Sequence, residues 1–179
     1  MTDVLSPEQR HRCMSSIRSK DTKPEKIVRK YLFSKGLRYR IGSRKLPGSP
    51  DIVLRKYKTV IFVDGCFWHG HEGCKYYRLP KTNEDFWRQK IYLNIARDYR
   101  CNVELRLAGW KVIRIWECEV RNKSGREEVL EHLYNEITGS PNETPLSPSV
   151  YGTDHTPDVK PPVAAEPETP YGPSPADTY

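Results

Sequence analysis

The chain has 179 residues, 36% of them hydrophobic and 30% charged, with a formal net charge of +7. This predicts one domain with a modest core plus an appendage. No apolar run approaches the ~20 residues of a membrane-spanning helix. Since the first residues show no signal-peptide pattern, we expect a cytoplasmic protein without a membrane partner. In that reducing compartment, five cysteines, three of them near histidines, favour metal ligation over disulfides.

The charge is concentrated in the body of the chain. From Gly139 onward one basic residue stands against six acidic ones, so this segment carries −5 and the rest of the chain +12. Such an excess attracts polyanions, most commonly nucleic acid; a merely soluble basic surface is the alternative. Residues 140–179 are rich in Pro, Ser, Thr and acids, so we expect disorder there.

Two helix starts are predicted near the N-terminus. Residues 6–8 (Ser-Pro-Glu) open the first. The basic, weakly apolar segment 9–20 that follows is either an arm lying on phosphates or a loosely docked, solvated helix. Residues 22–25 (Thr-Lys-Pro-Glu) form a capping-box pattern, and their helix stops before Gly36. On spacing alone, Glu25 is a capping carboxylate.

Three short strands are predicted next. They cover residues 37–41, 52–54 and the apolar run 60–63, with a hairpin turn at 57–58 between the last two. Asp51 stands at the mouth of the second strand. Hairpin pairing brings this carboxylate close to the end of the third strand, a geometry that suits a divalent metal.

The loop after the third strand has the spacing of a zinc site. Its pattern Cys66-x4-His71-x2-Cys74 places three good zinc ligands in one tight loop. Cys118 directly follows the last predicted strand and is available as the fourth ligand. Four protein ligands leave no open position, which predicts structural zinc; unmetallated buried cysteines are the alternative.

The same loop carries Phe67 and Trp68, followed at once by His69. A metal ion bound by the loop would hold these aromatics away from the core, which is typical of a functional, ligand-binding surface. The basic and aromatic run 75–81 that follows suits phosphate and base contacts.

A long helix is predicted from a cap at residues 83–85. An apolar stripe recurs every fourth residue along it: Trp87, Ile91, Ile95 and Tyr99. We expect this stripe in the core. Lys90 and Asn94 lie at its edge, where they either reach base edges or form a solvated rim. A strand over 111–117 and a helix capped near Ser124 and ending near 137 complete the body.

The order of elements predicts an α/β (α+β) fold with a mixed central sheet flanked by helices, similar to the restriction-endonuclease-like core. That core usually has Pro-Asp, then Asp/Glu-x-Lys on the next strand; here Pro50-Asp51 is present, but Cys66 stands in place of the lysine. We predict a DNA-contacting arm over 1–22, a catalytic domain with the zinc loop over 23–138, and an acidic tail over 139–179.

Several motifs occur in one order between Leu5 and Ile137. They are Met14-Ser-Ser-Ile-Arg-Ser-Lys-Asp-Thr-Lys-Pro-Glu25, Pro50-Asp51, Asp64-Gly-Cys-Phe-Trp-His69, Phe86-Trp87, and Gly109-Trp110 with Trp116-Glu-Cys118. Together they resemble the very short patch repair (Vsr) DNA mismatch endonucleases. The resemblance implies a zinc-containing, restriction-endonuclease-like fold. It also implies a magnesium-dependent nick 5′ of the thymine in a G·T mismatch left by deamination of 5-methylcytosine.

The resemblance also assigns catalytic roles. It makes Asp51 the magnesium-binding carboxylate, Val63 the donor of a backbone carbonyl ligand, and His69 the general base. Imidazole suits that role because its reference pKa of ~6.5 allows proton uptake near neutrality. Glu25 becomes a second carboxylate near the scissile phosphate. Asp64, where some members have histidine, adds negative charge near the magnesium site.

DNA-contacting roles follow in the same way. Met14, Phe67 and Trp68 match side chains that wedge into the base stack, and Lys90 and Asn94 match positions that contact the recognition sequence. We expect a monomer that binds double-stranded DNA with a G·T mismatch at the nucleoid; contacts with mismatch-repair proteins are left open.

Two other functional classes remain alternatives. One is a restriction-type endonuclease that cuts matched duplex. The other is a non-catalytic, zinc-stabilised DNA-binding protein, against which Asp51 and His69 argue.

Overall fold

The computed structural model describes residues 20–42 and 44–139 together with Ser6, Glu8, Gln9, Arg12 and Ser15. Most of the predicted arm, including Met14, and the tail beyond Gly139 lie outside the described residues. The first predicted helix start is confirmed at its cap, because the Ser6 hydroxyl oxygen accepts from the Gln9 N–H at 3.2 Å.

The first helix of the body, α1, spans Lys23–Ser34 and starts as its capping box predicts. The Thr22 hydroxyl oxygen accepts from the Glu25 N–H (3.4 Å), and a Glu25 carboxylate oxygen accepts from the Thr22 N–H (3.2 Å). Val28 and Leu32, one turn apart, are fully buried. The helix is therefore fixed at its start by the cap and along its length by the core.

A four-stranded mixed sheet in the order β1-β2-β3-β4 forms the centre of the fold. The strands are Arg40–Ile41 (β1), Ile52–Leu54 (β2), Thr59–Asp64 (β3) and Lys111–Trp116 (β4). The first three are antiparallel neighbours, and β4 runs parallel to β3. The predicted turn between β2 and β3 is a 3-10 turn, Arg55–Tyr57, followed by Lys58 at a φ of +49°.

The first strand is shorter than the predicted 37–41. Leu37 is buried in the core instead of pairing in the sheet. The Tyr39 hydroxyl donates to the Arg29 carbonyl oxygen of α1 at 3.1 Å. This segment therefore packs against the helix before it pairs as a strand.

Three further helices follow: α2 (Glu84–Leu107), α3 (Glu117–Arg121) and α4 (Arg126–Thr138). The predicted side-chain cap of α2 is wrong, because Asn83 has a left-handed backbone and its side chain makes no capping hydrogen bond. The α4 helix begins near Ser124 as predicted, with Gly125 at φ +81° as its N-cap and no side-chain capping hydrogen bond. Since α3 begins at Glu117, Cys118 lies in a helical turn rather than at the strand end. Among the described helices, none is long and apolar enough to cross a membrane.

The sheet is covered on both faces. On one face, Ile61 and Ile113 join the main core with residues of α1 and α4. On the other, Val60 packs with Phe62 and Val112 against Leu105 of α2. Because side chains alternate along a strand, Asp64 at the end of β3 and Arg114 in β4 continue this second face, and Arg114 contacts Asp98 of α2.

Candidate active site and metal centre

The predicted zinc ligands converge. One ligand atom from each of Cys66, His71, Cys74 and Cys118 lies within 4.8 Å of the others. The Cys118 sulfur is 3.4 Å from His71 Nδ1. The loop holds itself in this shape, since the His71 N–H donates to the Cys66 carbonyl oxygen (2.9 Å) and the Cys74 N–H to that of His71 (3.3 Å).

The chemistry of this cluster fits a metal ion. Three sulfurs and one imidazole nitrogen are the donor types of a four-coordinate site for a borderline-soft cation. Burial raises the pKa of the Cys66 and Cys118 thiols and lowers that of His71. A bound cation would supply the positive charge that stabilises thiolates here. The His71 ring also stacks on Trp116, with centroids 4.1 Å apart and planes within 4°, which fixes the ring orientation.

Asp51 lies immediately before the first residue of β2, at the strand mouth where it was predicted. Since β2 begins only at Ile52, the Asp51 carboxylate takes the place of a strand partner and accepts from the Val63 N–H at 2.8 Å. Burial raises the pKa of Asp51 to about 6; the Val63 hydrogen bond opposes this, and the nearby Glu25 and Asp64 charges reinforce it. A desolvated carboxylate with acidic neighbours favours a cation.

Glu25 is buried beside this site and already has several partners. It accepts from the Asp21 N–H (3.1 Å) and the Thr22 hydroxyl (2.8 Å), and it pairs with the Arg29 guanidinium. It thus caps α1 and neutralises a buried arginine, and it lines the same cavity as Asp51. The role near the scissile phosphate stays a prediction.

His69 is held from one side by an acid that the sequence analysis did not single out. Its Nδ1 lies 2.5 Å from Asp98 Oδ2, and its Nε2 lies 3.6 Å from Asp64 Oδ1. Burial alone would raise the pKa of Asp98, but the His69 hydrogen bond and nearby positive charges outweigh it and hold that pKa below its usual value. An ionised carboxylate only accepts, so Nδ1 carries the proton and Nε2 is the atom for proton uptake.

The basicity of His69 is increased by these neighbours. Burial lowers the pKa of His69, but the Asp98 hydrogen bond and the charges of Asp64 and Asp98 outweigh it, so the pKa lies above its ordinary value. The ring thus combines a fixed tautomer with an enhanced proton affinity, the properties of a general base.

Arg114 of β4 lies beneath this arrangement. Its Nε is 3.0 Å from Asp64 Oδ2 and its Nη2 is 3.8 Å from Asp98 Oδ2. Burial raises the pKa of Asp64, and the positive charges of Arg114 and His69 oppose that rise. The polar end of the second sheet face is therefore a compact group of two carboxylates, an imidazole and a guanidinium.

The loop aromatics form a cluster with the start of α2. Ring centroids of Phe67 and Trp68 are 5.2 Å apart, and Trp87 lies 5.4 Å from the first and 5.9 Å from the second, all edge to face. Phe86, 58% exposed, packs edge to face on Trp87 at 5.3 Å. The predicted wedge residues therefore pack against a tryptophan of α2.

The apolar stripe of α2 holds this loop and is only partly core. Ile91 is buried as predicted, but Tyr99 is 54% exposed, so its predicted place in the core is wrong. The Asn94 amide donates to the Trp68 carbonyl oxygen at 2.9 Å. A Cβ on Gly70, which has a φ of +64°, would lie 2.7 Å from Ile95 Cδ1. The loop thus lies directly on one face of α2.

A cavity of about 950 Å³ joins these groups. Its walls include Glu25, Asp51, Asp64, Trp68 and His69. A carboxylate suited to a cation and an imidazole thus share one cavity with the half-buried Trp68. This arrangement can hydrolyse a phosphodiester with metal assistance.

Comparison with known proteins decides the family. The profile described as DNA mismatch endonuclease Vsr matches residues 2–75. DNA mismatch endonuclease Vsr of Escherichia coli (strain K12) is 39% identical over 136 residues, covering 76% of this chain and 85% of its own length. The chain belongs to the Vsr family. Other relatives are Type II nicking enzyme V.NmeAIP of Neisseria meningitidis and V.XorIIP of Xanthomonas oryzae. The first is 50% identical over 137 residues, or 76% of this chain and 97% of its own length. The second is 47% identical over 133 residues, which cover 74% of this chain and 97% of its own length.

Membership of the Vsr family confirms the resemblance drawn from the motifs and makes the chain a DNA endonuclease. Two residues of the site escaped the sequence analysis. Asp98 lies one turn beyond Asn94 on the loop-facing side of α2, and Arg114 is a charged residue within the apolar alternation of β4. The sequence signals for them were an acidic residue beside the apolar stripe of a helix and an arginine among the apolar residues of a strand.

Proposed function

We propose that this Vsr family member is a magnesium-dependent mismatch endonuclease that nicks one strand 5′ of the thymine in a G·T mismatch. Such mismatches arise by deamination of 5-methylcytosine, and the substrate is nucleoid DNA in the cytoplasm. The observation that carries the proposal is the shared cavity in which the desolvated Asp51 carboxylate and His69 lie beside Phe67 and Trp68. Within the chain, residues 23–138 form the catalytic domain of a restriction-endonuclease-like fold.

Asp51 and the backbone carbonyl of Val63 would hold the magnesium ion. A magnesium ion held there would supply Lewis-acid polarisation of the scissile phosphate and charge stabilisation for the leaving oxygen. The raised pKa of Asp51 supports this role, because burial and acidic neighbours make a cation the natural partner of the carboxylate. Glu25, capping α1 beside Asp51, adds negative charge to the same wall.

His69 accepts the proton of the attacking water at Nε2. Asp98 keeps the other nitrogen protonated and stabilises the imidazolium that forms, the role that the acid has in a catalytic triad. This base compensates for the missing lysine of the restriction-endonuclease motif.

Phe67 and Trp68, with Met14 of the N-terminal arm, enter the base stack at the mismatch. Unstacking costs a few kcal/mol per step and costs least where pairing is faulty, so intercalation itself favours a mismatch. Asn94 is bonded to the Trp68 backbone and so couples sequence recognition to the wedge, while Lys90 is exposed on the same helix. A structural zinc ion held by Cys66, His71, Cys74 and Cys118 would fix the loop that carries the wedge.

A nicking assay with magnesium tests the proposal. A G·T duplex in several methyltransferase sequence contexts is compared with its G·C counterpart, for the wild type and Asp51→Ala. We expect a nick in the thymine strand only, absent from the G·C duplex and from the variant. Equal cutting of matched duplex would instead place the protein among restriction-type endonucleases. Tight binding without cutting in any context would mean a DNA-binding protein without catalysis.

A further inference from the structure

Three potential metal ligands lie together at the base of the cavity. A positively charged side chain of the protein, Arg114, already lies beside them. Ligand atoms of Asp64, His69 and Asp98 lie within 4.8 Å of one another. Arg114 contacts both carboxylates, at 3.0 and 3.8 Å, and only 12% of its side chain is exposed. The Arg114 guanidinium of β4 therefore supplies the positive charge that these two carboxylates and the imidazole would otherwise attract from a metal ion.

We infer that Arg114 is a positioning residue for the nicking reaction, because its guanidinium fixes the two carboxylates between which the His69 ring stands. The inference rests on the proposed role of His69 as the general base. Arg114 touches neither the water nor the phosphate; it acts through Asp64 and Asp98.

The geometry explains why an arginine suits this place. Two carboxylates flank the imidazole, Asp98 at Nδ1 and Asp64 near Nε2. The guanidinium is planar, always charged, and presents donors in more than one direction, so one side chain contacts both acids. Without it, Asp64 is free to turn toward Nε2 and occupy the atom that must accept the proton of water.

Arg114 is itself held in place by an aromatic stack. Its guanidinium carbon lies 5.3 Å from the ring centroid of Trp116, and the Trp116 ring stacks on His71. Trp116 and Arg114 lie two residues apart on the same strand, so both side chains are on the same sheet face. The position of the base is thereby tied to the loop cluster that we propose to bind zinc.

The test compares Arg114→Met, Arg114→Lys and Arg114→Ala with the wild type. Lys35→Met is the matched control, because it removes an ion pair with Glu131 that lies outside the cavity. On whichever duplex the wild type nicks, we expect Arg114→Met to lower kcat by about 10–100-fold, the scale of a misplaced catalytic group, with KM unchanged. Arg114→Lys should recover part of the loss, and millimolar guanidinium should restore activity to Arg114→Ala. Lys35→Met should match the wild type.

A second readout does not depend on the substrate. The proton on His69 Nδ1, hydrogen-bonded to Asp98, gives a far-downfield nitrogen-15-edited NMR resonance that we assign by its loss in His69→Ala. We expect it to broaden or shift in Arg114→Met and to stay unchanged in Lys35→Met. If Arg114→Met does not fold, Arg114→Gln, which keeps hydrogen-bond donors without the charge, replaces it in both measurements.

The outcomes separate the two proposals. Unchanged kcat in Arg114→Met, a loss confined to KM, or no recovery by guanidinium would overturn the role of Arg114. If the wild type cuts no G·T duplex, the proposed function fails, and the His69 resonance alone then decides whether Arg114 positions the ring. An unperturbed resonance in the folded Arg114→Met variant would refute the inference on its own.

Discussion

Asp51→Asn should stabilise the protein while it abolishes nicking. The Asp51 carboxylate is desolvated and lies near the charges of Glu25 and Asp64, so its ionised form is disfavoured in the folded state. Asparagine keeps an oxygen that accepts from the Val63 N–H, the hydrogen bond that the carboxylate makes at 2.8 Å. The substitution therefore removes the charge and retains the local structure.

The magnitude follows from the raised pKa. A rise from 3.8 to about 6 means that ionised Asp51 costs about 3 kcal/mol of unfolding free energy. For an acid with a raised pKa, this cost is fully present above the folded-state pKa and absent below the unfolded-state pKa. At pH 8 the variant should thus be about 3 kcal/mol more stable than the wild type, a melting-temperature rise of about 6–12 °C. At pH 5 about half of the difference should remain.

Thermal unfolding with a magnesium chelator at several pH values between 8 and 5 checks this prediction. Adding magnesium should raise the melting temperature of the wild type only, because ligand binding stabilises the state that binds it. Asp85→Asn is the control, since Asp85 is exposed in the first turn of α2. Its loss removes a favourable interaction with the helix dipole and should cost about 0.5 kcal/mol, the opposite sign.

Two results would refute the reasoning. If Asp51→Asn is less stable than the wild type at pH 8, then ionised Asp51 does not carry the desolvation cost described. If the difference is the same at pH 8 and pH 5, it does not come from the charge of Asp51.

Three further predictions concern the loop. In the proposed zinc site, Cys118→Ser removes one ligand and should cost more than about 4 kcal/mol with loss of zinc binding, because a lost metal ligand is among the most damaging substitutions; zinc content and thermal unfolding check this. Gly70→Ala should cost about 1–2 kcal/mol for its backbone and also lower kcat, since its Cβ meets Ile95. Gly73→Ala, at a similar φ with open space around it, should show only the backbone cost. Trp68→Ala should weaken binding to G·T duplex by about 1–3 kcal/mol and leave matched duplex nearly unaffected by fluorescence anisotropy, and the distant Phe33→Ala should change neither.

Local signals in the sequence were sufficient for much of the fold. The capping box at Thr22, the hairpin between β2 and β3, and the long helix α2 depend on neighbours within a few residues, so their patterns are legible in the chain. The cluster of Cys66, His71, Cys74 and Cys118 was predictable for the same reason, because the loop spacing places three of these residues together. The strand over 37–41 failed because Leu37 and Tyr39 pack against α1, a contact that no local pattern encodes.

The sequence by itself thus determined most of the helices and strands, the Cys and His residues that converge near the loop, the position of Asp51 and the family. Only the tertiary structure decided what each face covers. Periodicity shows which residues share a side of α2, but not that this side packs against the loop after β3, with Asp98 hydrogen-bonded to His69. The parallel pairing of β3 with β4 places Arg114 between Asp64 and Asp98, residues distant in the chain. Such contacts come from the packing of whole elements, which alternation and spacing within one element do not contain.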